Sequence, residues 1–241
     1  MRKWLVFSML LIVQLAFGQF SDEQLYMAYM SSDLTLWGQY IDAQEWSHLT
    51  HSERLRLINY EYGYIPVLAD QQRTEEAARY LRQYEQHLEA EKAALPKATY
   101  LSYWSAAHAY EYLLDKSKIL SEGMQSFKLA KQALEIDANN PIALTLKGNI
   151  DFYAPKIIGG NKKNAMVLFT RAEKIMLADS AFYYLWNLPA IQLCIAQCYE
   201  KTDDLPNALR QAEKALHRHP HFAYLRDTYL PQLKKKTTGN K

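Results

Sequence analysis

The sequence predicts an all-α protein, a right-handed α-solenoid of antiparallel helix hairpins. Three observations carry this expectation. Glycine and proline number only eight each in 241 residues, too few breakers for a fold of many short strands. Apolar side chains make up 49% of the chain, enough for a continuous core and against global disorder. Small residues also recur at matched places: Ala133, Ala172 and Ala215 lie 39 and 43 residues apart, each on the second helix of a predicted hairpin.

The elements follow in chain order. Arg2 and Lys3 make a basic start, Trp4 to Val13 is an apolar run, and Ala16 and Gly18 are small residues placed for cleavage. This is the layout of a secretory leader, too short for a comfortable membrane span. Residues 1–18 are therefore expected to be removed, leaving a mature chain that begins at Gln19 in the periplasm or outside the cell. No cysteine follows the cleavage point, so a lipoprotein anchor has no support. Removing Arg2 and Lys3 leaves 26 basic side chains against 26 acidic ones. A neutral balance of this kind gives no support to nucleic acid or anionic lipid as a partner.

Residues 19–99 read as two irregular helix hairpins. Ser21 with Gln24, and Thr50 with Glu53, are capping-box pairs. Thr74 with Glu75 and Glu76 opens another helix, since acids suit a first turn. Leu55, Ile58, Tyr62 and Ile65 have helical spacing, as do Ala77, Leu81, Tyr84 and Leu88. Pro66 is expected to kink or end its helix.

Residues 100–221 carry the repeated signal. Tyr103, Ala107 and Tyr110 mark one first helix, with Ala130 and Ala133 on its partner. Gly148 marks the next first helix, with Ala165, Phe169 and Ala172 opposite. Ile195, Ala196 and Tyr199 mark the last, followed by Ala208, Ala212, Ala215 and Pro220. Small residues let two helices approach while a large side chain fills the gap. Phe222 to Leu233 reads as a capping helix, and residues 222–241 end in a basic tail at Lys234, Lys235 and Lys236.

These spacings resemble the tetratricopeptide repeat superfamily, of exported bacterial type, with Ala212 standing where the family carries a larger residue. The resemblance implies that the first helix of each unit lines a concave face. On that register Trp104, His108, Glu111 and Tyr112 line it in one unit, Asn149, Phe152 and Tyr153 in the next, and Gln197 in the last. Aromatic rings mixed with polar tips are the composition of protein-binding surfaces, so the expected partner is a protein or peptide. The loop Gly159-Gly160-Asn161, followed by Ala165, Phe169 and Ala172, also looks like the T-component proteins of tripartite ATP-independent periplasmic transporters. That likeness implies a hydrophobic small molecule as ligand, and oligomerisation.

Catalytic signatures are scarce. The chain has no His-Glu-x-x-His, no Gly-x-Ser-x-Gly and no phosphate loop, so no enzyme activity, cofactor or metal is expected. An all-α hydrolase would need two carboxylates across a cleft, and Glu61 and Glu111, among tyrosines, are the candidates, more simply read as solvated or groove-lining acids. His217, His219 and His221 are separated by a helix break at Pro220 and read as helix-end residues rather than zinc ligands. Cys194 and Cys198 sit four apart on one helix, a poor geometry for a disulfide, and read as small reduced side chains.

Overall fold

The computed structural model describes residues 20–156, 159–182 and 185–239. The leader read at residues 1–18 lies outside them. The described chain is all-α, without a strand. Eleven α-helices follow in order: α1 (Asp22–Met30), α2 (Thr35–Asp42), α3 (His51–Asp70), α4 (Thr74–Ala90), α5 (Lys97–Leu114), α6 (Ser121–Ile136), α7 (Pro141–Tyr153), α8 (Lys162–Ala178), α9 (Asn187–Lys201), α10 (Leu205–Arg218) and α11 (Leu230–Gly239). Consecutive helices pair as antiparallel hairpins, α3 with α4, α5 with α6, α7 with α8 and α9 with α10, and α8 packs on α9.

Local sequence accounts for the helix starts. Ser21 and Thr50 form complete capping boxes with Gln24 and Glu53. Asn140, Asn161 and Asp204 cap α7, α8 and α10 through their side-chain oxygens. Helix α4 starts at Thr74 as expected, with Arg73 at the cap and no side-chain capping bond. Acids in its first turn, Glu75 and Glu76, complement the helix dipole instead.

Pro66 neither ends nor interrupts α3, which runs on to Asp70. Proline leaves the carbonyl four residues earlier without its helical donor. That carbonyl, on Tyr62, accepts a hydrogen bond from the Tyr110 hydroxyl of α5 at 2.7 Å. A neighbouring helix thus satisfies the group that would otherwise be orphaned inside the core.

Three hairpins turn the same way. Ser32, Gln72 and Asp203 all have φ close to +60°, and the next residue's N–H reaches back five positions, to Ala28, Leu68 and Tyr199 respectively. This is the Schellman close of a helix, built without glycine. It recurs after α1, α3 and α9, and marks α1–α2 as a hairpin like the others.

Close packing follows the small residues. Ala130, Ala133, Ala165, Ala172, Ala208, Ala212 and Ala215 are fully buried. A solenoid connects only neighbours, but here the two ends of the array also meet. Asn59 on α3 and Asn187 at the start of α9 exchange amide hydrogen bonds at 2.9 and 3.0 Å. Tyr29 on α1 stacks on Trp37 at 5.6 Å and lies against Trp186 and Phe222 at 5.9 and 5.4 Å. The hairpin α1–α2 therefore fills the space between the N-terminal and C-terminal ends.

Candidate functional site

One half-open cavity of about 350 Å³ lies where α7, α9 and the C-terminal segment converge. Its position follows from how α7 stops. Ala154 is extended and precedes Pro155, a pairing that disfavours helix. The loop returns through Gly159, whose φ of +97° suits only glycine, and Asn161 then starts α8. The last residues of α7, Phe152 and Tyr153, are left facing the cavity, their rings edge to face at 4.9 Å. Tyr153 is 70% exposed, so its ring is open to a ligand. α9 contributes Gln197, Glu200 and Lys201.

The C-terminal wall has an unusual backbone. Tyr224–Tyr229 is a π-helix, closed by a hydrogen bond from the Leu230 N–H to the Leu225 carbonyl. Residues five apart on an α-helix point about 140° from one another. The wider π turn instead brings Tyr224 and Tyr229 together, their rings 6.5 Å apart and inclined by 23°. Both line the cavity. Tyr229 is buried, with its hydroxyl against the Glu200 carboxylate. Burial, then Glu200, raises it well above an ordinary phenol. Glu200 itself is held by Lys236 at 2.5 Å.

The expected site residues fall into two groups. Phe152, Tyr153 and Gln197 come together in the cavity. Trp104, His108, Glu111 and Tyr112 lie elsewhere, towards α6 and the short turn before it. His108 bonds Glu122 at 2.6 Å, Glu111 pairs with Lys118 at 2.5 Å, and Lys116 sits over the Tyr112 ring at 4.6 Å. Trp104 is half-buried between Tyr100 and His108. Asn149 stands between the groups, its amide 3.4 Å from the Tyr62 hydroxyl. Tyr224, Tyr229 and Lys236 were missed by sequence reasoning, because the tail reads as a plain cap and five is not a helical spacing.

Two acid and histidine readings need correction. Glu61 is neither solvated nor groove-lining: it is fully buried, pairs with His87 at 2.9 Å, and burial raises its carboxyl. It flanks no open cleft. His219 does stand at a helix end, as the C-cap of α10, but it is buried there as a neutral ring rather than a cation answering the helix dipole. Its Nδ1 meets the Tyr26 hydroxyl at 2.6 Å and its Nε2 meets Gln192 at 3.0 Å, and Gln192 donates to Glu173 at 2.8 Å. Burial, helped by Arg218, pushes His219 down to about 4.

A pH prediction follows from that network. The unfolded imidazole binds a proton near pH 6.5, while the folded one stays neutral until about pH 4. The unfolded state therefore holds more protons in that window. The stabilisation is complete above pH 6.5 and is lost as pH falls towards 4. Between pH 7 and pH 4.5 the free energy of urea unfolding is expected to drop on the order of 2 kcal/mol further in the wild type than in His219→Gln. Equal drops would mean that His219 is not held neutral by the fold.

No protein-family model matches this chain, and no curated protein does. Among solved structures, the HusA haemophore from Porphyromonas gingivalis is similar. The superposition has a TM-score of 0.51 with 18% sequence identity, covering 78% of this chain and 89% of that one. At that identity the likeness is one of fold. No helix among the described residues is long and apolar enough to cross a membrane.

Proposed function

We propose that this chain is an exported, non-enzymatic binding protein that carries a flat, largely apolar ligand with acidic substituents, of the haem class, in the cavity at the end of α7. One observation carries the reading: Phe152, Tyr153, Tyr224 and Tyr229 converge on one cavity with Lys201 and Lys236 beside them. Aromatic faces take up the area of a planar ring, and ammonium groups suit carboxylates at its edge. The lining is mixed rather than largely apolar, with Gln197, Glu200, Lys201, Gln232 and Lys236 beside the rings, so it suits a ring that carries polar substituents. The likeness in fold to a haemophore points the same way, as does the leader-like start of the sequence. A protein or peptide laid along the concave face is the weaker reading, because α1 and α2 already fill the space between the two ends.

The test is a titration of the mature chain with haemin, followed by the Soret band. Saturation at one haemin per chain is expected. Tyr153→Ala should weaken binding roughly tenfold, the effect of losing about 1–1.5 kcal/mol of aromatic contact. Tyr153 is exposed, so the melting point should hold. Unsaturable uptake, or equal affinity in both proteins, would sink the reading.

A further inference from the structure

We propose that the outward faces of α6 and α8 form a docking surface for an anionic lipid bilayer, on which the chain rests while its cavity stays open. The inference goes beyond the functional reading above and does not depend on it.

The neutral balance of the mature sequence conceals a division. Residues 19–99 carry 13 acidic and 7 basic side chains, whereas residues 100–241 carry 13 acidic and 19 basic ones. Part of that excess is displayed on two helices. Leu120, Met124, Lys128 and Lys131 follow one another along α6 at steps of four, four and three, so they share one face. Lys163, Val167, Arg171 and Lys174 do the same along α8. All eight are exposed. Few acids offset these cations. Glu173, the one acid of α8, is buried and accepts from Gln192. On α6, Glu122 turns to His108, and Glu135 meets Lys131 at 3.6 Å. Lys128, Lys163 and Lys174 have no ionic partner among the described residues.

The two faces belong to neighbouring units. Helices α6 and α8 are the second helices of consecutive hairpins. Arg171 reaches from α8 to the turn after α6, donating to the Ala138 carbonyl at 2.8 Å. Neither helix contributes a residue to the cavity.

The apolar members of the faces decide which anionic surface fits. Leu120 and Met124 are 70% and 69% exposed, and Val167 is 53% exposed. Protein interfaces are anchored by aromatic side chains seated in pockets, and none of these eight residues is aromatic. A bilayer surface demands no shaped pocket: lysines meet its headgroups while aliphatic side chains dip beneath them. A second copy of the chain is a poorer fit. Acids of the N-terminal part are spent in pairs, Asp22 with Arg56, Asp42 with Arg79 and Glu76 with Arg73, rather than gathered to face a basic surface.

The mature chain should float with vesicles of mixed phosphatidylglycerol and phosphatidylcholine, and not with phosphatidylcholine alone. Raised salt should release it, because exposed charges are screened. The triple variant Lys128→Gln, Lys163→Gln, Lys174→Gln should partition about a hundredfold less, about fivefold for each ammonium lost. The double variant Leu120→Ser, Met124→Ser keeps every charge and should also partition less, which attraction at a distance would not produce. All five side chains are exposed, so melting points and haemin titrations should match the wild type. Absence of vesicle binding, equal binding to both lipids, or unchanged partitioning in either variant overturns the inference. Salt-sensitive self-association without vesicle binding also overturns it, and assigns the face to a second copy. None of these outcomes touches the haemin reading, which stands or falls on its own titration.

Discussion

Replacing Trp37 with alanine is expected to destabilise the protein by about 3–5 kcal/mol, the largest loss from a single side chain of the N-terminal hairpin. Trp37 is completely buried. Its ring meets Tyr29 at 5.6 Å, Tyr60 at 5.0 Å and Trp186 at 5.6 Å, and its indole N–H donates to the Leu25 carbonyl at 2.8 Å. The truncation removes apolar contact with both ends of the array at once and leaves that carbonyl without its indole donor. Collapse into the void is hindered, because Gly63 is already so close that a methyl there would stand 2.6 Å from the Trp186 ring. The midpoint of guanidinium unfolding reports the loss, with Trp37→Phe as a milder control. A change under about 1 kcal/mol would mean that α1–α2 contributes little to closing the array.

The hairpin that Trp37 secures was only partly legible in the sequence. The start of α1 was readable, because Ser21 and Gln24 form a reciprocal cap that needs nothing beyond local chemistry, whereas α2 opens at Leu34 without a side-chain cap. The stop of α1 was not. The turn places Ser32 in a left-handed conformation, and the same turn at Gln72 and Asp203 also lacks glycine, so the usual punctuation is missing. Pro66 misled for a different reason: a breaker rule assumes that the carbonyl deprived of its helical donor stays unpaired, and the rescuing Tyr110 hydroxyl comes from 48 residues along the chain. The candidate site divides in the same way. Phe152, Tyr153 and Gln197 follow from a repeat register, which is a local count along three helices. Tyr224 and Tyr229 depend on a π-helix, which no α-helical periodicity announces. Glu61 and His219 depend on burial across helices distant in sequence, and solvation cannot be counted along a chain.

The hairpin register itself can be tested at one contact. Gly148 on α7 faces Phe169 on α8, and a methyl added at Gly148 would stand 2.6 Å from the Phe169 ring. Phe169 is fully buried, so Phe169→Ala is expected to cost about 3–5 kcal/mol through lost burial and a cavity. Gly148→Ala alone sets two effects against each other. Relief of glycine's backbone entropy in a helix gains about 0.5–1 kcal/mol, while overpacking against an aromatic ring costs about 1–3 kcal/mol. The clash is with a ring locked between helices rather than a flexible tip, so overpacking wins and the single variant is destabilised. Once Phe169 is alanine the clash is gone, and the same methyl both stiffens α7 and fills part of the void. Gly148→Ala is therefore expected to change sign, destabilising the wild type and stabilising Phe169→Ala, a coupling that a double-mutant cycle reads directly. The melting points of the four proteins decide it. The same sign in both backgrounds would place Gly148 and Phe169 out of contact and break the register on which the cavity at the end of α7 depends.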